Sequence, residues 1–117
     1  MREADLKRVW DAWDANCRIL EFTRGVGQDQ FIRSDLIRSA VERQFEICGE
    51  ALGYLRGNEE IERIVPDLHK VVGLRNRLIH CYDAIDPEIL WTIIASSIPH
   101  LQGQLTTILK DAGVLNE

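Results

Sequence analysis

Gly73-Leu-Arg-Asn-Arg-Leu-Ile-His-Cys-Tyr-Asp-Ala-Ile-Asp-Pro87 is the stretch on which the reading of this chain turns. Its first half is helical in pattern. Val71, Val72, Leu74, Leu78 and Ile79 supply apolar surface, and Arg75, Asn76, Arg77 and His80 are set among them. Its second half is a boundary. Asp86-Pro87 reads as an N-cap followed by proline at the first helical position, so one helix closes and another opens within these residues.

The polar residues of this stretch carry chemistry. An arginine keeps its charge at any biological pH and can hold an anion. A histidine exchanges protons near neutrality, and a tyrosine hydroxyl donates, accepts or carries a modification. Asn76 and His80 are four apart and share a helix face. Arg75 and His80 are five apart, roughly 140° around an ideal helix. They converge if the helix ends or loosens near His80. Such a group suits phosphodiester cleavage by a ribose 2′-hydroxyl, which needs a base, an acid and positive charge on the transition state. One chain offers one central histidine; a two-fold dimer would offer two of each group. The same residues also admit a structural reading, with Arg75 bracing a carboxylate and His80 closing its helix.

Outward from this stretch the pattern stays helical. Leu6, Val9, Trp10, Trp13, Cys17 and Leu20 predict a helix over about Glu3 to Phe22, with that stripe in the core. Residues 25–34 read as a connection anchored by Phe31. Ser34 is placed to cap a helix over about Asp35 to Leu55, whose stripe is Ile37, Val41, Phe45, Cys48, Ala51, Leu52 and Leu55. Glu46 and Glu50 share a face there, and either could partner an arginine of the central stretch. A short helical turn follows through Ile61, Ile64 and Val65. The central helix is then expected from about Asp67 to at least Ile79. The last helix carries Ile89 to Leu109, with a kink expected at Pro99, and the tail from Asp111 is expected to fray. No stretch alternates with period two. The fold class implied is all-α, an antiparallel up-and-down four-helix bundle with a short additional helix, in a single domain spanning residues 1–117.

Bulk composition narrows the function. The 117 residues carry 14 Lys+Arg against 19 Asp+Glu, a formal net charge of -5, which argues against a broad basic surface for nucleic acid or membrane. A local basic cleft is compatible with it. Cys17, Cys48 and Cys81 are odd in number and well separated, as in thiols of a reducing, cytoplasmic compartment. MREADLKR lacks an apolar signal core, and no apolar run spans a membrane. His69 and His100 have no ligand partners at metal-site spacing, so neither a metal nor another cofactor is expected.

With these residues laid out, the chain resembles the HEPN superfamily, and within it the HepT-like toxins paired with MntA-type minimal nucleotidyltransferase antitoxins. The pattern R-x4-H-x-Y falls on Arg75, His80 and Tyr82, inside RNRLIHCYDAIDPEILW from Arg75 to Trp91. AVERQFEICGEAL, from Ala40 to Leu52, and IPHL, from Ile98 to Leu101, are also similar, so the resemblance covers nearly the whole chain. It implies a helical bundle forming a two-fold homodimer, with the motif at the dimer cleft, and a metal-independent endoribonuclease. Arg75 and His80 would be catalytic and Asn76 a supporting polar residue. Tyr82 would be the residue that the partner nucleotidyltransferase adenylylates to silence the toxin. Two features depart from the pattern: Cys81 stands where a small or polar residue is usual, and the acidic net charge leaves RNA binding to a cleft lined by Arg75, Arg77 and Lys70 or Arg43. The rival reading is a non-catalytic module whose cleft binds a nucleotide or supports a nucleotidyltransferase; retention of both Arg75 and His80 favours the ribonuclease.

Overall fold

The computed structural model describes residues 1–80 and 85–116; the side chain of His80, residues 81–84 and residue 117 lie outside the described residues. Among those described, the chain forms helices and no strands: α1 Glu3–Phe22, α2 Gln28–Arg33, α3 Asp35–Gly53, α4 Glu59–Ile64, α5 Leu68–His80 and α6 Pro87–Asp111. Among the described residues, no helix is long and apolar enough to cross a membrane.

The helix starts follow from side chains that satisfy free backbone N–H groups. Ile37 N–H donates to Ser34 Oγ at 3.1 Å, Ile61 N–H to Asn58 Oδ1 at 3.2 Å, and Glu88 N–H to Asp86 Oδ1 at 2.9 Å. Pro87 occupies the first turn of α6, where its missing donor is not needed. Pro99 lies inside α6, and the helix continues through it to Asp111.

Three expectations are corrected. Residues 28–33 are helical rather than a plain connection, and Phe31 within them is fully buried, its ring centroid 5.4 Å from that of Trp91 on α6. In α1 the fully buried residues are Val9, Ala12, Ala15, Asn16 and Ile19, while Leu6, Trp13 and Leu20 of the expected stripe pack on the core only partly buried. Small alanines let α1 lie close against α3; Trp13 flanks the contact and donates its Nε1–H to Thr106 Oγ1 at 3.1 Å, while Trp10 remains 37% exposed. Residues 112–115 are tied back rather than frayed. Gly113 adopts φ +77°, Val114 N–H reaches the Leu109 carbonyl at 2.8 Å, and Gly113 N–H reaches that of Lys110 at 3.0 Å. This is the paired arrangement that closes a helix through a left-handed glycine, and Leu115 packs on the core behind it.

α3 packs between α1 and α5, and α1 also packs on α6; α2 bridges α3 and α6. The core has two lobes along this arc. One gathers Val9, Ala12, Leu52, Ile61, Val72 and Leu105; the other gathers Ile19, Phe31, Phe45, Leu90, Ile94 and Ile98. Between α5 and α6 there is a groove of about 380 Å³, floored by Phe45 and walled by Val71 and Leu74 on one side and Ile93 and Leu101 on the other.

Candidate active site

Arg75 projects from α5 onto the backbone of α3, and a glycine makes room for it. A Cβ on Gly49 would lie 2.2 Å from Arg75 Cβ, 2.9 Å from Arg75 Cγ and 3.2 Å from the Val71 carbonyl oxygen. No side chain fits at that crossing. Within the helix interior, glycine costs about 1 kcal/mol relative to alanine, so its presence in α3 has a packing reason. The stem of Arg75 is thereby pressed against α3. Its Nε is buried without a partner among the described residues, and Nη1 donates to Asn76 Oδ1 at 3.1 Å.

The guanidinium and Asn76 line a cleft of about 240 Å³ between α3 and α5, together with Gly49, Glu50, Gly53, Tyr54, Arg56 and Val72. Two arginines and one glutamate are among the residues that line it, a local balance opposite to that of the whole chain. The five-residue step from Arg75 to His80 runs along continuous α5. The His80 ring, Cys81 and Tyr82 lie outside the described residues.

The other residues singled out in the sequence are dispersed. Arg77 is exposed and is not part of the cleft lining. Lys70 lines the α5–α6 groove instead, with its ammonium 3.5 Å from Asp67. Arg43 pairs with Glu46 at 3.1 Å on the surface of α3. Of the two carboxylates considered as partners for the central arginines, Glu46 is thus engaged elsewhere, whereas Glu50 shares the Arg75 cleft. Gly49, Tyr54 and Arg56 were not singled out by the sequence reading. The mid-helix glycine was the available signal for the first; an isolated tyrosine or arginine gives none.

Cys48, beside Gly49, is fully buried, and burial pushes its thiol up to about 12. It is core filler and not a nucleophile. Burial also raises the Cys17 thiol, against a hydrogen bond from Gln102 Nε2 at 2.8 Å that lowers it. Among the described residues no group of three or more His, Cys, Asp or Glu side chains is placed to hold a metal ion.

Comparison with known proteins places these features in a family. A family model described as Ribonuclease HepT-like matches residues 14–108, which include α3, α5 and most of α6. A protein of Methanocaldococcus jannaschii, named as a candidate RNase, is 33% identical over 111 residues, covering 92% of this chain and all of its own length. A Thermococcus cleftensis protein named as a ribonuclease HepT is 31% identical over 94 residues, covering 79% of this chain and 84% of its own. A candidate RNase of Caldanaerobacter subterraneus is 28% identical over 92 residues, covering 79% of this chain and 82% of its own. No solved structure matches the chain.

Proposed function

Because the chain belongs to the Ribonuclease HepT-like family, we propose that it is a metal-independent endoribonuclease in which Arg75 and His80 act on RNA at the cleft of a two-fold dimer. The observation that carries this reading is the seating of Arg75: α3 gives up a side chain at Gly49 so that a guanidinium can be fixed at the edge of a polar cleft. A fixed guanidinium is the group that phosphoryl transfer requires, since it stabilises charge on the phosphorane-like transition state without reorganising.

The steps follow from that chemistry. A base takes the proton of a ribose 2′-hydroxyl, the 2′-oxygen attacks the adjacent phosphorus, and the bond to the 5′-oxygen breaks. An acid delivers a proton to that departing oxygen, leaving a 2′,3′-cyclic phosphate and a 5′-hydroxyl. His80 supplies one proton transfer and its copy in the second protomer the other. Asn76 orients Arg75 through the 3.1 Å hydrogen bond. The apolar groove between α5 and α6, with Ile79 43% and Ile89 51% exposed near the motif, supports a second copy docking on this side. In this reading the chain is the toxin of a two-component system. A nucleotidyltransferase antitoxin transfers adenylate to the Tyr82 hydroxyl, and the added anion blocks the cleft and competes for Arg75.

Purified His80→Ala protein tests the reading. It is expected to keep the fold and the dimer, to lose cleavage of single-stranded RNA by about 10²-fold or more, and to lose host growth arrest; wild-type cleavage is expected to persist in EDTA. An undiminished rate in the His80→Ala protein would remove His80 from the mechanism. With ATP and the partner, the mass of one adenylate is expected on Tyr82, and mass on another residue contradicts that part of the proposal.

A further inference from the structure

The Arg75 cleft extends to the turn that closes α3, where Tyr54 and Arg56 form its far end. Tyr54 is 60% exposed although one face of its ring is already covered: the Arg8 guanidinium of α1 lies over it, Cζ 3.7 Å from the ring centroid. What remains open is the opposite face. The stacked arginine favours the ring orientation that leaves this face to solvent. Arg56 is exposed and has no ion-pair partner among the described residues. Beyond Arg8, the neighbouring depression carries Asp11 and Asp14, each already paired with a cation of α1, Lys7 and Arg18, so among the described residues the unpaired positive charge on this side of the molecule is that of Arg56.

We propose that Tyr54 and Arg56 form a nucleotide-seating subsite for single-stranded RNA: a nucleobase stacks on the open face of Tyr54, and a flanking phosphate pairs with Arg56, leading the strand to Arg75. The proposal rests on the ribonuclease reading for the identity of the strand. The physical ingredients are those of sequence-tolerant single-strand binding, an aromatic face for the base beside cationic groups for the backbone. The cleft, at about 240 Å³, is on the scale of a single nucleotide unit. The arrangement also answers the charge problem: a chain with net charge -5 gains RNA affinity from a local pair of arginines and a stacking surface. Glu50, in the same cleft, is an acceptor suited to an exocyclic amine and repels a phosphate placed beside it.

The test is fluorescence anisotropy of the full-length protein with a fluorescein-labelled 2′-O-methyl adenosine decamer, whose blocked 2′-oxygen prevents cleavage. Tyr54→Ala is expected to weaken binding by about tenfold or more, the loss of one stacked base, whereas Tyr54→Phe and Tyr54→Trp bind like wild type. Arg56→Ala is expected to lower the slope of log affinity against log salt by about one phosphate, and Arg56→Lys to retain it. Wild-type affinity in Tyr54→Ala, or no binding of the decamer by the wild type, overturns the subsite. So does displacement of the decamer by AMP at equal concentration, which would make it a mononucleotide site. Cleavage of unmodified RNA, measured in parallel, separates the two claims. Tyr54-dependent binding without any cleavage sinks the ribonuclease reading alone; His80-dependent cleavage with Tyr54-independent binding sinks the subsite alone.

Discussion

A methyl group on residue 49 has nowhere to go: it would stand 2.2 Å from the first carbon of the Arg75 side chain. Because the clash involves the base of the arginine and the Val71 carbonyl, rotating the guanidinium does not relieve it; α5 must move. Gly49→Ala is therefore expected to destabilise the fold by roughly 1–3 kcal/mol and to displace Arg75. Its kcat for RNA cleavage should fall by more than about tenfold at temperatures where the protein is fully folded. Urea unfolding and single-turnover kinetics check both; a variant with wild-type stability and rate would show that α3 does not position Arg75. At this scale the sequence discloses residues whose chemistry is their function. Arg75 and Asn76 stand out by type, and the structure puts both on one cleft. Gly49, Tyr54 and Arg56 matter only through where α3 places them, across a helix pair that no local pattern encodes.

The helices themselves were legible because their boundaries are written in single side chains. Ser34 and Asp86 each accept a backbone N–H within hydrogen-bonding distance, and α1 spans the residues its pattern predicts; the Asn58 cap of α4 is added by the structure. The failures have equally local causes. α2 opens on Gly27 with no side-chain cap, so only its buried Phe31 announces it. In α1 the large tryptophans draw the eye in the sequence, yet close helix packing puts the small alanines at the fully buried positions. α3 carries one measurable cost of its packing. Burial raises the Glu42 carboxyl above its ordinary value, Arg38 one turn earlier lowers it, and Glu46 one turn later raises it. A carboxyl whose folded-state pKa is raised binds its proton more tightly in the folded state. Its contribution to stability is fully present below the unfolded-state pKa and is lost as pH rises through the folded value. Glu42→Gln is therefore expected to be more stable than wild type at pH 7, with the difference vanishing below about pH 4. Urea midpoints across that range check it; a gain largest at acid pH would contradict the assignment.

For the molecule as a whole, the net charge is acidic, and the arginines that line the α3–α5 cleft are Arg56 and Arg75. The expected all-helical class is met among the described residues, in six helices, with α1 packed on α3 and α6 and α3 on α5. The side between α5 and α6 is instead a groove lined by Val71, Leu74 and Ile93. Helical periodicity shows that a face is apolar but not whether the same chain or another copy covers it. A second protomer on that side would pack against α5, the helix whose last residue is His80. The most direct measurement is a subunit-mixing series, in which wild type and His80→Ala are unfolded together, refolded at varying ratios and assayed on RNA. If one reactive pocket needs a histidine from each protomer, the rate per wild-type chain falls in proportion to the wild-type fraction. A rate per wild-type chain that stays constant at every ratio would mean that each protomer cleaves alone, and would contradict the shared site.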